Sequence, residues 1–216
     1  LSSFISAAII TGAYLIIYIA FHTITEGTLK GLDLSLLTLF ILNGIGILFS
    51  QPFTYIYERT FGLVSDVSLL ELSDTNSSLL RQLSEKAPGT FQHSMQVANL
   101  AEAAAAEIGA NTLLVRVGAL YHDIGKMQNP LYFIENQKTS LNPHDQLTPL
   151  QSAKVIIKHV ADGIELARKH KLPERLIDFI RTHHGRSLTY YFYRKELDTN
   201  PNAKEEDFRY PGPIPF

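Results

Sequence analysis

The chain has 216 residues, and its 19 basic and 21 acidic side chains leave a formal net charge of −2 at pH 7. This balance argues against a nucleic acid polymer as a partner, because proteins that bind one carry a basic patch or stripe. The sequence has no cysteine, which excludes disulfides and thiolate metal sites, so any metal ion must be held by nitrogen and oxygen ligands.

The N-terminal part of the chain is more apolar than the rest. Phe4–Phe21 and Leu34–Tyr57 contain no charged residue, and a helix that crosses the hydrocarbon core of a bilayer needs about 20 mostly apolar residues. We therefore predict two transmembrane helices. A buried hairpin of a soluble protein is the alternative, whereas a signal peptide fits less well because a second apolar segment follows the first. The few flanking charges favour a cytoplasmic C-terminal part.

Beyond the apolar segments the sequence pattern predicts helices and no strand, so the fold class is all-α. Residues 61–78 are typical of a juxtamembrane helix that ends in a polar turn. Thr90 is the predicted N-cap of the next helix, which ends at Gly109. The later helices are expected over these residues: 90–109, 112–125, 149–170 and 173–184.

Histidine is concentrated in the C-terminal part, where seven of the eight histidines lie within residues 93–184. His122 and Asp123 are adjacent in the segment HDIGK, about 100° apart around a helix, so both side chains can reach one centre between them. The other candidates lie on or just beyond apolar helical stretches: His93, His159, His183 and His184. Each alone is more often a hydrogen-bonded core or surface residue, but histidines from four helices together predict a metal centre.

Two further residues are candidates for substrate contact. Lys126 lies one turn beyond His122 and could contact a phosphate oxygen as a point charge, although a solvated lysine at a helix end is an equal alternative. His144 lies in a polar loop and could touch substrate or only cap a turn. His170 lies in a charged segment, so we leave it out of the predicted site.

The order of these residues, H…HD…H…HH, resembles that of the HD superfamily of metal-dependent phosphohydrolases. Longer segments are similar to the bacterial seven-transmembrane HD-domain proteins of the PgpH type: APGTFQHSMQVANLAEAAAAEIGAN, GALYHDIGKM, FIENQ, NPHDQLTP, THHGRSL and EEDFRYPGP. The resemblance implies an HD-domain helical bundle over residues 79–216. It also implies a linker helix at 61–78 and, at 1–60, the last two transmembrane helices of a larger membrane domain.

The resemblance further implies a ligand set for two divalent ions, Mn or Fe. Asp123 would bridge the ions, with His93 and His122 on the first ion. The second ion would be bound by three histidines: His159, His183 and His184. Family members have one more aspartate in a helix after RYPGP, and we expect that ligand beyond Phe216. Without it, the first metal site is one ligand short.

The implied activity is hydrolysis of cyclic di-AMP to linear pApA. Two ions about 3.5–4 Å apart lower the pKa of a bridging water, and the resulting hydroxide attacks phosphorus in line. Asp123 and Lys126 are the expected catalytic residues, and Lys126 and His144 the expected substrate-binding residues. The implied partners are cyclic di-AMP and the lipid bilayer, with no nucleic acid polymer and with homo-oligomer formation left open.

The resemblance implies a multi-pass protein of the bacterial cell membrane with its HD domain in the cytoplasm. Two alternatives stay open from the sequence. One is a catalytically inactive HD domain that binds a nucleotide and signals at the membrane. The other is an HD phosphohydrolase of another nucleotide, such as cyclic di-GMP, although the sister group that cleaves cyclic di-GMP carries a GYP motif that this sequence lacks.

Overall fold

The computed structural model describes residues 3–137 and 141–214, and the chain divides into two compact units, Leu1–Leu63 and Val64–Phe216. Every regular element that the structure describes is a helix, which confirms the predicted all-α fold class. Three residues of the predicted polar loop, 138–140, lie outside the described residues.

The described part of the first unit consists of α1 (Ser3–Glu26), α2 (Leu34–Leu48) and α3 (Ser50–Phe61). Gly44 lets α1 and α2 pack closely, because a Cβ added to it would clash with the Oγ1 of Thr11. The second apolar segment was expected as one helix, but it forms α2 and α3, which meet at Phe49.

Two stretches of the first unit are long and apolar enough to cross a membrane: Phe4–Glu26 and Leu34–Glu58, with mean hydropathies of 2.2 and 1.8. In each stretch, only 6% of an apolar 18-residue segment is buried within the structure. A hairpin in the core of a soluble protein would bury most of this surface. The exposed side chains include large apolar ones: Ile16, Ile17, Phe21, Leu39 and Ile41. By length and composition, both stretches are candidate membrane spans.

The second unit is a helical bundle made of α4 (Asp66–Ser73), α5 (Ser78–Lys86), α6 (Pro88–Glu107), α7 (Thr112–Tyr121), α8 (Pro149–Lys169), α9 (Glu174–Thr182) and α10 (Tyr190–Leu197). α7 packs against α4, α6 and α9. The core around it is apolar: Leu80, Leu83, Val117, Leu120, Leu176, Ile177 and Ile180. Burying one such side chain stabilises the fold by about 1.5–3 kcal/mol, so the end of α7 is firmly held.

α7 is shorter than the sequence pattern predicts. The α-helix ends at Tyr121, and the chain continues as a 3-10 helix over Ile124–Gln128. This 3-10 helix packs on α8 at very short range, because a Cβ added to Gly125 would overlap the carbonyl oxygen of His159. Only glycine permits this approach. The segment HDIGK therefore lies directly against the turn of α8 that contains His159.

The start of α6 also differs from the prediction. The helix begins at Pro88 with Ala87 at the N-cap, so Thr90 lies inside the helix and does not cap it. The N–H of Thr90, at the third helical position, donates to the Oδ1 of Asn136, which takes the place of an N-cap side chain. The Thr90 side chain is instead directed to Glu135 and Asn136, with which it forms hydrogen bonds.

The remaining helix boundaries lie close to the expected ones. α8 begins with a capping box, in which Thr148 and Gln151 satisfy each other's backbone N–H groups. α9 ends at Thr182, so the pair His183-His184 lies just beyond the helix and not within its last turn. Gly62, in the left-handed region at φ 63°, ends α3.

Candidate metal centre

Asp123 is the buried carboxylate at the middle of the predicted ligand set. It directly follows the C-cap of α7 and is 2% exposed. Two groups of side chains share it: the first adds His93 and His122, and the second adds His159, His183 and His184. Within each group, the potential ligand atoms lie within 4.8 Å of one another. The structure thus brings together all of the residues predicted as metal ligands.

Three of the imidazoles are oriented by a hydrogen bond to the turn of chain that precedes them. The Nδ1 of His122 lies 2.6 Å from the carbonyl oxygen of Ala119, and the Nδ1 of His159 lies 2.6 Å from that of Ile156. The Nδ1 of His183 makes the equivalent contact at 2.9 Å. A carbonyl oxygen only accepts, so Nδ1 is the protonated nitrogen in each ring. In a neutral imidazole, Nε2 then presents a lone pair.

These lone pairs face the carboxylate of Asp123. The Nε2 atoms of His122, His159 and His183 lie 3.1, 3.2 and 3.5 Å from its oxygens, and those of His159 and His183 lie 3.3 Å from each other. Neutral imidazole nitrogens and a carboxylate are all acceptors, so a cation must lie between them, either a proton or a metal ion.

The Oδ1 of Asp123 is buried and has no hydrogen-bond partner in the part of the chain that the structure describes. A buried polar atom of this kind normally has a partner. Nitrogen and oxygen donors around an unsatisfied carboxylate oxygen suit a divalent metal ion, and a backbone carbonyl on the far nitrogen of a histidine is the usual support for a metal ligand. These residues are therefore suited to bind a divalent metal ion.

The two remaining histidines differ in their surroundings. His93 is exposed, and its ring centroid lies 5.8 Å from that of His122. His184 is half-buried and stacks on Tyr210, with the ring centroids 4.0 Å apart and the planes inclined by 16°. Tyr210 is itself buried. The first group of ligands is thus open to solvent at His93, and the second is covered by an aromatic ring.

Backbone hydrogen bonds fasten the segment that contains Tyr210. The Tyr210 N–H donates to the carbonyl of Ser187 at 3.0 Å, and the Thr189 N–H donates to the carbonyl of Phe208 at 2.9 Å. The side-chain hydroxyl of Thr189 donates to the same carbonyl at 2.8 Å. This pairing holds the C-terminal segment against the chain that follows the His183-His184 pair.

Lys126 lies between two carboxylates. Its Nζ is 2.8 Å from the Oδ2 of Asp123 and 2.9 Å from the Oε1 of Glu135. It also lies 4.9 Å from the ring centroid of Phe133. The ammonium is therefore engaged by protein groups in this structure. The expected contact of Lys126 with a phosphate oxygen stays a prediction.

His144 lies in neither group of potential ligands. Its Nε2 is 3.0 Å from the carbonyl oxygen of Tyr132, and its ring packs against the rings of Tyr132 and Phe192, with centroids 5.1 and 4.9 Å away. These contacts tie the loop to α10. The role of His144 in substrate binding stays a prediction. His170, which is left out of the predicted site, is the C-cap of α8 and is likewise in neither group.

The electrostatics favour the protonation states that metal ligands need at Asp123 and His184, but not at His122. Burial lowers the pKa of His184 to about 3, and the neighbouring His183 acts in the same direction. Burial opposes ionisation of Asp123, but the adjacent imidazoles of His122, His159 and His183 outweigh it, so the pKa of Asp123 lies well below its usual range. Burial also lowers the pKa of His122, but Asp123 outweighs this and the net shift is upward. Metal ions bind ionised carboxylates and neutral imidazoles.

Glu135 and Tyr210 contact the site but are not among the residues predicted from the sequence. Each lies in one of the short segments on which the resemblance rests, FIENQ and EEDFRYPGP. Those segments are the signal that could have identified them. Glu135 lies nine positions after Lys126, and neither composition nor helical periodicity predicts that these two side chains form an ion pair.

The geometry defines a helical domain built around a histidine–aspartate site for cations. A model of the HD domain family matches residues 90–208, which is more than half of the chain. The chain therefore belongs to the HD domain family.

Curated relatives are similar over most of the chain. The cyclic-di-AMP phosphodiesterase PgpH of Listeria monocytogenes is 52% identical over 160 residues, which are 74% of this chain and 22% of that protein. The cyclic-di-AMP phosphodiesterase PgpH of Bacillus subtilis is 44% identical over 206 residues, which are 93% of this chain and 29% of that protein. The chain thus spans less than a third of the length of either relative.

A solved structure is also similar. The crystal structure of the HD domain of L. monocytogenes phosphodiesterase PgpH in complex with cyclic-di-AMP is 54% identical in sequence, with a TM-score of 0.64 over 66% of this chain and 66% of that chain.

Proposed function

We propose that this chain contains the active centre of a metal-dependent phosphodiesterase that hydrolyses cyclic di-AMP to linear pApA. The observation on which this depends most is the convergence of three Nδ1-anchored imidazoles on the buried carboxylate of Asp123. Two relatives named cyclic-di-AMP phosphodiesterase, at 52% and 44% identity, support the choice of substrate.

The proposed centre has two divalent ions that share Asp123. His93 and His122 would hold the first ion, and the second would be held by three histidines: His159, His183 and His184. When bound, two such ions stabilise charge on a phosphodiester and lower the pKa of a water molecule. Nitrogen and oxygen ligands suit Mn or Fe, and we propose one of these as the native metal.

The residues of the chain orient the ligands and control access to them. The backbone carbonyls hold three imidazoles in one tautomer, so that Nε2 points to the centre. Lys126 holds the Oδ2 of Asp123. Since His93 is exposed while Asp123 and His159 are 2% exposed, we propose that the substrate enters from the His93 side.

The proposed reaction consumes one water molecule. The water oxygen forms a bond to phosphorus, the bond between phosphorus and the ribose 3′ oxygen breaks, and that oxygen takes up a proton. The ring of cyclic di-AMP opens, which leaves a 5′-phosphate at one end and a free 3′-hydroxyl at the other. Hydrolysis of one of the two phosphodiesters is sufficient to give pApA.

We also propose that α1 and the α2–α3 pair lie in a bilayer, as part of a multi-pass membrane protein with the second unit in the cytoplasm. Their length, hydropathy and apolar exposed faces support this location. The test is extraction of membranes with alkaline carbonate, after which the full chain should stay in the membrane pellet. Release into the supernatant would contradict the membrane location.

The activity is tested with the full chain in detergent, with Mn²⁺ and cyclic di-AMP, by chromatographic detection of pApA. We expect pApA to accumulate, and cyclic di-GMP to be turned over much more slowly. Robust turnover of cyclic di-GMP with none of cyclic di-AMP would overturn the substrate. Tight binding of cyclic di-AMP without turnover, with both metal ions bound, would instead favour an inactive nucleotide-binding signalling domain.

A further inference from the structure

Hydrogen bonds among Thr90, Glu135 and Asn136 hold Glu135 against the first turn of α6. The Thr90 hydroxyl donates to the Oε1 of Glu135 at 3.0 Å. The Thr90 N–H donates to the Oδ1 of Asn136 at 3.1 Å, and the Nδ2 of Asn136 donates back to the Thr90 hydroxyl at 2.8 Å. Thr90 and Asn136 are buried, so the bonds between them are shielded from water, whereas the bond to Glu135 is part-buried. Together they position the Glu135 carboxylate.

The backbone of Glu135 also lies very close to the first turn of α6. A Cβ added to Gly89 would overlap the carbonyl oxygen of Glu135, so the two segments approach as closely as glycine allows. Gly89 and Thr90 belong to the same turn of α6 that leads to His93 one turn later. Glu135 is thus attached to the helix of one predicted ligand, while its carboxylate contacts Lys126 on the segment of another.

The carboxylate of Glu135 is directed at the ammonium of Lys126, next to the proposed centre. Lys126 bridges Glu135 at 2.9 Å and Asp123 at 2.8 Å, and its side chain is only 13% exposed. A positive charge this close to the shared carboxylate repels cations, and water screens it only in part because the side chain is largely covered.

We propose that Glu135 is a positioning residue that sets the cation affinity of the centre: its carboxylate offsets the charge of Lys126 and holds that ammonium on the Oδ2 of Asp123. This inference rests on the proposed function, since it concerns the same two-ion centre. Without the charge of Glu135, the centre keeps the positive charge of Lys126 with only Asp123 to balance it, and metal ions bind more weakly.

The test is a double-mutant cycle measured as Mn²⁺ affinity by isothermal titration calorimetry, on the full chain in detergent. The variants are Glu135→Gln, Lys126→Met and the double variant. We expect Glu135→Gln to weaken Mn²⁺ binding about tenfold in the wild-type background and less than about twofold in the Lys126→Met background, because the charge that Glu135 offsets is then absent. An equal loss in both backgrounds, or no loss in either, overturns the inference.

Two further variants separate charge from fold. Glu102→Gln is the matched control, because Glu102 pairs with Arg116 at 2.7 Å outside both groups of ligands, and it should bind Mn²⁺ as the wild type does. Thr90→Val removes the hydroxyl that donates to Glu135 but keeps every charge, so Mn²⁺ affinity should stay within about threefold of wild type. If Glu135→Gln fails to fold, Thr90→Val is compared in the wild-type and Lys126→Met backgrounds: a loss that persists in Lys126→Met would overturn the role of charge.

The wild-type titration distinguishes this inference from the proposed function. If the wild type binds no Mn²⁺, the two-ion centre itself is wrong and the inference falls with it. If the wild type binds Mn²⁺ and produces pApA while the cycle shows no coupling, the proposed function stands and only the role of Glu135 is wrong. Thermal unfolding of each variant without metal confirms that it is folded.

Discussion

The ring of Tyr210 lies stacked on the imidazole of His184, with centroids 4.0 Å apart and planes inclined by 16°. The stack fixes the plane of a predicted ligand from a segment far along the chain. We expect Tyr210→Ala to weaken Mn²⁺ binding by about 10–100-fold, the range typical when a group that orients a metal ligand is removed. Titration calorimetry on the full chain measures this.

The phenol oxygen is not needed for the stack, so Tyr210→Phe serves as the control. It should keep Mn²⁺ affinity within about threefold of wild type, because aromatic stacking depends on the ring and not on the hydroxyl. If Tyr210→Phe loses as much affinity as Tyr210→Ala, the hydroxyl and not the ring supports the site.

Loss of a central ligand should eliminate turnover of cyclic di-AMP. His122→Ala and Asp123→Ala each remove a group that the structure places at the centre, and we expect at least a ~100-fold fall in the rate of pApA formation, more than removal of a supporting group costs. His170→Ala is the control, since His170 lies in neither group of ligands. Comparable damage from His170→Ala would show that the ligand set is wrong.

The contact between Gly125 and α8 should be intolerant of a methyl group. In Gly125→Ala the new Cβ meets the backbone carbonyl of His159, which cannot move without displacing the helix. We expect a loss of at least about 2 kcal/mol in the free energy of unfolding, as for other overpacked cores. Urea unfolding followed by circular dichroism measures the change.

Gly163→Ala is the matched comparison for Gly125→Ala. Its Cβ would lie 2.9 Å from the Cγ2 of Ile180 and 3.3 Å from the backbone nitrogen of Gly125, a much milder conflict than the overlap at Gly125. We therefore expect a clearly smaller loss than for Gly125→Ala. Equal losses would mean that the steric conflict with the His159 carbonyl is not what makes Gly125 necessary.

The low pKa of His184 predicts how the stability of the metal-free protein depends on pH. The folded-state pKa is about 3, whereas the unfolded value is about 6.5. Between these values the unfolded chain binds a proton that the folded one does not, so the free energy of unfolding falls as the pH drops from about 6.5 towards 3. Because His184 is partly exposed, screening keeps its share of the slope below the limiting ~1.4 kcal/mol per pH unit.

His184→Asn should make this slope shallower below pH 6.5, as measured by urea unfolding across the pH range in the presence of a chelator. At pH 8 the imidazole is neutral in both states, so the substitution should leave the slope unchanged there. Identical slopes for the two proteins below pH 6.5 would contradict the prediction.

The sequence was sufficient to predict the parts of the structure that repeat or cluster. Helical periodicity with proline starts and glycine ends predicted α6 to α9 to within a few residues, and the all-α class is confirmed. Spacing and resemblance nominated the six residues that the structure brings together. These predictions succeeded because each depends on local pattern or on a motif.

What the sequence could not supply was contact between distant segments. Threonine is a residue type typical of an N-cap, yet the Thr90 hydroxyl donates a hydrogen bond to Glu135, which lies 45 positions later. Gly125 looks like a helix end, but its function is a backbone approach to α8. The Tyr210 stack likewise depends on tertiary packing. Propensity is overridden at such places because packing energies exceed it.

Three of the five candidate imidazoles take their direction from a carbonyl in their own stretch of chain. Their orientation is therefore set by local helical geometry and does not depend on contacts between distant segments. A cation bound at the proposed centre would meet donor side chains that these hydrogen bonds already order, so its binding would cost little side-chain entropy. Which ion such a site binds would then depend largely on which ions are available in the surrounding solution.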